Sequence, residues 1–335
     1  MIAAVITDHG AILPLVQLLA IGSLAGVQQN AASALRRLAL DGATAVVIIA
    51  ASAIAALVQL LGSASPTHVQ QAAAAALACI VAAGGNAENA SIIAAASAIP
   101  ALVELLLAPG STSEVREAEA GALANLADDA DVAVTIAAAG AIPVLVGLLG
   151  SDSTAKEQEY AATAMMQLAW KNVENGAIIT EAGAIPLLVQ LLGSHFADVV
   201  QWPAAQALTH LTFKSLPNAD TIASTGGAVP QLVRLLGLSS SAAMQEAALG
   251  VLMHLTYNIP QNVVTIAAAG AIPPLVRLLG RNSSAELQVA ALEVLMDLSR
   301  RRNGYFAITI AAAGAIPLLV QLLLHGSSEK NRQSA

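Results

Sequence analysis

Residues 183–192 read Gly-Ala-Ile-Pro-Leu-Leu-Val-Gln-Leu-Leu, and the same block, with small changes, occurs eight times in the 335-residue chain. The copies begin at Gly10, Ser52, Ser97, Gly140, Gly183, Gly227, Gly270 and Gly314, with successive starts 42 to 45 residues apart. A fixed period of about 40–47 residues marks a helical solenoid, in which each unit buries its apolar face against its neighbours. The expected fold is all-α: one array over residues 1–326, about seven three-helix repeats plus a partial eighth, followed by a polar tail over 327–335. Solenoids mostly bind along an extended surface, so the repeat points to binding before it points to catalysis.

The unit reads as three helices. A short first helix, as in Asn172–Ile179, stops at the Gly-Ala corner. Pro186 falls in the first turn of the second helix, where a missing N–H costs nothing. Leu187–Leu192 continues that helix to Gly193-Ser194, and a variable linker leads to a longer third helix such as Ala242–Thr256. Trp202-Pro203 predicts a delayed start for one of these third helices.

Composition narrows the class. Hydrophobic residues make up 56% and aromatics 2%, with a mean hydropathy of +0.70. Residues 132–150 are uncharged and long enough for a membrane span. Gly140 and Pro143 interrupt them, however, and most copies share the interruption, so two short helices meeting at a corner explain the run better. Cys79 is the sole cysteine, which excludes an intramolecular disulfide and a multi-cysteine zinc site. Met1–Val5 has no basic leader region, so an intracellular setting, cytoplasmic with the nucleus possible, is expected. An acidic chain without a basic stripe argues against nucleic acid.

The third helices carry one polar stripe. Arg37, Cys79, Asn125, Gln167, His210, His254 and Asp297 occupy one reference column. At 100° per residue, one residue later and two or three earlier face away from it and are apolar: Leu211, Leu208 and Ala207; Leu255, Leu252 and Val251. Four and eight residues earlier and three later share the reference side. Stacked, these stripes form a continuous surface.

The block, the period, the three-helix order and an Asn opening several first helices (Asn172, Asn218, Asn258, Asn303) resemble the armadillo-repeat family, and within it the arrays of plant and algal proteins, some carried by U-box ubiquitin ligases. No U-box is present, so ligase activity does not carry over. The resemblance implies a right-handed superhelix whose third helices line a concave groove for extended peptide. Relatives that bind nuclear-localisation peptides have Asn at the reference position and Trp four residues earlier. Here only Asn125 matches, and the Trp column reads Ser33, Ala75, Gly121, Thr163, Gln206, Gly250, Glu293. The Asn amides that grip a peptide backbone and the Trp faces that seat lysine stems are both missing.

The stripe holds other groups. All eight aromatic residues follow position 159, and Trp170, Phe213 and Tyr257 stand three after the reference in consecutive units. With Gln167, Gln206, His210 and His254 they form a candidate peptide-binding patch, joined by Asn125 and by Glu117 and Asp128 as an acidic wall. Packing of the three aromatics against the next first helix is the other reading. The acidic cluster Glu114, Glu117, Glu119, Asp128, Asp129, Asp131 either attracts a basic partner or keeps an alanine-rich array soluble. No metal or cofactor is expected: His210, His254 and Asp297 lie on successive helices spaced about 8–10 Å, too far apart to share an ion. Ser153–Lys156 matches Ser-x-x-Lys by chance in a linker. The expectation is a non-enzymatic protein or peptide binder, with end-to-end self-association or service as the substrate-binding part of a larger ligase as alternatives.

Overall fold

The computed structural model describes residues 10–333 except 21, 51, 63, 85–91, 95–96, 109–110, 171, 258 and 301–304, with side chains omitted at 50, 82, 84, 305 and 325–333. All regular structure among the described residues is α-helical. The chain divides into two compact units, Met1–Ala182 and Gly183–Ala335.

In the second unit the repeat is read directly. Leu216–Ser224, Ala228–Leu235 and Ala242–Thr256 are a first, second and third helix, and Pro260–Ala268, Ile272–Leu278 and Ala285–Ser299 repeat them. Ala184–Leu191 and Asp198–Thr212 precede these, and Tyr305–Ala312 and Ala315–Gln333 follow. The first unit contains the same elements, with third helices Ala25–Leu38, Thr67–Gly84, Ser113–Leu126 and Ala155–Ala169. Each second helix packs on the third helix after it, and within each unit successive third helices pack on one another. Their contact surface is built from alanine and leucine, so backbones approach closely and bulky side chains stay in the inner columns.

The corner between first and second helices is made by backbone conformation. Gly140, Gly183, Gly227, Gly270 and Gly314 have φ between 78° and 87°, the left-handed region that glycine enters without penalty. Ser52 and Ser97 adopt φ 60° and 61° at the same place. The turn is sharp: Ala130–Ala138 and Ala141–Gly147 meet at 86°. The apolar run 132–150 is therefore two helices, and no helix among the described residues is long and apolar enough to cross a membrane.

A glutamine locks each second helix to the third. Gln28, Gln70, Gln158, Gln201, Gln245 and Gln288 stand nine residues before the reference column. Each donates its amide to a carbonyl just past the second helix, such as Gly237 O at 2.8 Å from Gln245 and Gly280 O at 2.9 Å from Gln288. These carbonyls have lost their helical partners, so the glutamine satisfies what the helix end leaves open. In one repeat Arg116 takes the glutamine's place and donates to Ser111 O at 2.6 Å.

Three local expectations are corrected. Asn172 does cap its helix, accepting from Asn175 N at 2.9 Å, but Asn218 does not: Ser215 caps there, and Asn218 donates back to Leu211 O at 2.7 Å. Asn175 makes the equivalent bond to Leu168 O at 3.1 Å, so these two asparagines clamp the preceding third helix. Asn258 and Asn303 lie outside the described residues. The helix around Trp202 begins at Asp198, and Pro203 sits inside it, one turn in. Thr154, assigned to a linker, is an N-cap: it accepts from Glu157 N at 3.1 Å while Glu157 accepts from Thr154 N at 2.6 Å.

Candidate peptide-binding face

The predicted site residues divide between the two units. Trp170, Phe213 and Tyr257 are each the residue at which a third helix ends, and they leave it with nearly the same backbone angles, φ near −60° and ψ 110–114°. That conformation swings the ring off the helix axis. Trp170 and Phe213 are half-exposed and Tyr257 is 63% exposed, so none is buried against a following first helix. Within the second unit the Phe213 ring lies 6.0 Å from the His254 ring, tilted by 58°, and Lys214 Nζ stands 5.1 Å from the centroid of the Phe213 ring as a cation–π partner. Gln206 and His210 share this face and are half-buried.

The reference column is largely committed to joining repeats. Asn125 donates to Ala78 O at 3.2 Å, and Gln167 donates to Asp128 at 2.9 Å. His254 Nδ1 lies 2.8 Å from Thr212 Oγ1, and Thr256 donates to Asp297 at 3.2 Å. Each bond runs from one repeat to its neighbour. Glu117 accepts from Thr154 at 2.7 Å. Burial, with His254 nearby, pushes His210 down to about 4, and burial also lowers His254. Both imidazoles are thus neutral at pH 7 and act through hydrogen bonds. Burial raises the Cys79 thiol against the opposing effect of Arg36, which leaves it protonated and unreactive.

The emptied Trp column has a steric cause in two repeats. A Cβ at Gly121 would meet the Tyr160 ring at 3.3 Å, and one at Gly250 would meet Thr209 at 3.0 Å. Neighbouring side chains fill the space a tryptophan would need.

The acidic cluster serves several purposes, and solubility is not the purpose of all its members. Asp129 caps Ala130–Ala138, accepting from Asp131 N and Val132 N. Glu119 is fully buried and neither carboxylate oxygen has a hydrogen-bond partner, which corrects its assignment to a solvated face. Burial pushes it up to about 8, opposed only by Arg116, whose guanidinium pairs at 2.6 Å with the buried Glu157 instead. The corresponding residue in the other third helices is Ala31, Ala73, Ala161, Ala204, Ala248 or Ala291, all buried. That unbroken alanine column was the sequence signal for Glu119, just as the recurring glutamine was the signal for the second-helix clamp.

Among the described residues no group of three His, Cys, Asp or Glu side chains is placed to hold a metal ion. An open cleft of about 530 Å³ lies between Ala184–Leu191 and Ala228–Leu235, lined in part by Gln190, His195, Gln231 and Arg234. Arg234 is engaged there with Leu192 O, as Arg277 is with Leu236 O one repeat later, so the cleft is a seam between second helices.

Comparison with known proteins agrees with this architecture. The family profile described as Armadillo/beta-catenin-like repeat matches residues 260–298. An engineered protein of known crystal structure is 29% identical over 96% of this chain and 86% of its own, with a TM-score of 0.72. A second engineered protein is 31% identical over 74% of this chain and 96% of its own, with a TM-score of 0.65. A designed armadillo repeat protein, solved in complex with the peptide (KR)4, is 26% identical over 73% of this chain and 99% of its own, with a TM-score of 0.63. No curated protein sequence matches the chain. With its recurring block, its corner of left-handed residues and its stacked third helices, the chain has the fold of an armadillo-repeat solenoid, and residues 260–298 match that family's repeat profile.

Proposed function

We propose that this protein acts by binding, using the third-helix face of its repeats to hold an extended or helical segment of a partner protein. One observation carries the reading: Phe213 and Tyr257, 50% and 63% exposed, stand at the ends of neighbouring third helices. Exposed aromatics of this kind are the usual anchors of interfaces, since they bury much area with few torsions to freeze. Trp170 holds the same position in the first unit. Gln206 and His210 offer hydrogen bonds beside the rings. Asn125, Gln167 and His254 would have to exchange an inter-repeat bond for a partner's, which costs most of what it returns. Glu117 and Asp128 would meet a basic segment in the first unit. The similar designed protein carries a peptide of alternating Lys and Arg, which supports peptide as the class of ligand here.

The test is a random-peptide selection on the intact chain and on a folded Phe213→Ala/Tyr257→Ala variant. Peptides enriched only by the intact chain are expected, with affinity lost by about 2 kcal/mol or more when a true anchor is truncated. Equal enrichment on both proteins would remove these rings from the binding surface.

A further inference from the structure

Three places where residues 183–237 depart from the repeat meet at one cleft. Two residues past the glycine that closes the second helix, other linkers have Asp152, Ser239 or Asn282, and here the residue is His195. The fifth residue of the block is apolar in every other copy, as in Val144, Leu187 and Pro274, and here it is Gln231. Ala139, Ala182, Ala269 and Ala313 precede the block glycine elsewhere, and here Gly226 does. Leu216–Ser224 also stops one residue early. Thr225 turns to extended backbone, φ −67° and ψ 123°, where Ala139 and Ala182 stay helical. His195, Gln231, Thr225 and Gly226 all line the open cleft of about 530 Å³ between Ala184–Leu191 and Ala228–Leu235.

The groups on this wall are placed but not used by the fold. A Cβ at Gly193 would stand 2.7 Å from His195 Cε1 and 3.0 Å from its Nδ1, and the Phe196 ring lies 4.1 Å from the imidazole. An exposed side chain is thus held from two sides. Arg234, also exposed, donates to Leu192 O and pairs with no carboxylate among the described residues. No Asp or Glu lines the cleft, which leaves the guanidinium an uncompensated charge there. Gln231 makes no side-chain hydrogen bond among the described residues, and its Oε1 is buried without a donor. Nothing in the protein fixes that amide. Arg277 makes the same bond to Leu236 O in the next seam, where the equivalent residues are Ser239, Ala269 and Pro274, so the clamp itself requires none of these departures.

We propose that this cleft binds the C-terminal end of a partner polypeptide, one that closes on a small apolar residue. The terminal carboxylate pairs with the Arg234 guanidinium and accepts from the His195 ring N–H. The Gln231 amide offers one donor and one acceptor, which is what the last peptide group of the ligand needs. Pro186, Val189 and Pro230 supply the apolar wall for the final side chain. A single fixed cation suits a singly charged carboxylate better than a phosphate. The cleft contains no residue of the third-helix stripe, so this site does not rest on the aromatic face.

The probe is the peptide acetyl-Ala-Ala-Val with a free carboxylate, titrated into the full isotope-labelled chain and followed by NMR. Saturable shifts are expected at the backbone amides of Ser194, Thr225 and Gly226. Amidating the C terminus of the probe, or Arg234→Gln in the protein, should weaken binding about tenfold or more, the loss of one charge-assisted hydrogen bond. Arg277→Gln removes the same clamp one repeat later. It should lower the melting temperature as Arg234→Gln does while leaving binding intact, which separates the cleft from general loosening. His195→Ser installs the residue found at Ser239 and should weaken binding with the melting temperature unchanged, because the imidazole is exposed. Absence of saturable shifts, or an amidated probe that binds as tightly as the acid, overturns the proposal. So do shifts centred on Phe213 and Tyr257, which would place the peptide on the third-helix face. Sodium acetate that binds as tightly as the peptide would make the occupant a free small acid and overturn the assignment to a polypeptide end.

Discussion

The third helices of residues 1–182 and those of residues 183–335 share length and buried columns, yet they bind their neighbours with different chemistry. The first unit has fifteen Asp/Glu against five Lys/Arg, and the second has seven against nine. In the first, carboxylates carry the cohesion: Arg116 to Glu157, Thr154 to Glu117, Gln167 to Asp128. In the second, His254 pairs with the neutral Thr212, and a single carboxylate, Asp297, accepts from Thr256. One scaffold thus tolerates two sets of inter-repeat contacts, because the apolar columns fix the geometry and leave the stripe free to vary. Sensitivity to pH and charge should therefore concentrate in the first unit.

The strongest break in that contrast is Arg116→Ala. Glu157 is wholly buried, so losing its cation strands a charge in the interior, and the loss should be about 3 kcal/mol or more. The clamp to Ser111 O goes with it. Urea unfolding measures the total, and hydrogen exchange should locate the new opening in residues 98–169. Exchange that rises equally in residues 183–335 would show that the two units do not differ as argued.

Glu119→Ala acts in the opposite direction. Its folded-state pKa is raised to about 8 from 4.5, so the native state holds a proton that the unfolded chain releases. Stability from this group is fully present below pH 4.5 and declines as pH rises towards 8. Alanine, which fills every equivalent position, removes an unpartnered buried carboxyl whose cost is about 1–3 kcal/mol. The variant should be more stable than the parent at pH 8.5 and closer to it at pH 4.5, by urea melts at both values. A parent whose stability is flat across that range would mean that Glu119 has a partner after all.

How these features appear in sequence explains which of them could be read there. Periodicity exposed the solenoid, the corners and the apolar columns, because each repeats seven or eight times and a repeated error is improbable. Trp170, Phe213 and Tyr257 were visible as a column, but their exposure depended on the backbone turn at each helix end, which no spacing rule supplies. Commitment of Asn125, Gln167 and His254 to neighbouring repeats was hidden because the partners, Ala78 O, Asp128 and Thr212, lie about 40 residues away. Glu119 looked like one more surface acid until its column was compared with six alanines. Pro203 misled because one proline in the first turns of a long helix is tolerated when packing outweighs a lost bond.

A smaller effect sharpens the neutral side of the comparison. Thr212→Val keeps shape and removes the hydroxyl facing His254, for a loss of about 1 kcal/mol. His254 would then have one contact fewer and should become open to partner groups. Peptides selected on this variant should lean towards side chains that bond an imidazole, and unchanged selection would leave His254 a purely structural residue.

The corners offer the finest distinction. Every described corner of the second unit is glycine, whereas two in the first are Ser52 and Ser97, held at φ near 60°. Left-handed backbone costs an L-residue about 1 kcal/mol, which serine at these points offsets with nothing the fold supplies: neither side chain makes a capping bond. Ser97→Gly should therefore stabilise the first unit by about 0.5–1 kcal/mol, slightly less than the strain relieved, because glycine also gives the unfolded chain more freedom. The reciprocal Gly183→Ser should cost the second unit a similar amount. If the pair of melts moves in the same direction, the corner is governed by packing of the second helix; opposite shifts make backbone conformation the determinant, and the block's first residue becomes a place where repeats can be tuned without touching the proposed aromatic face.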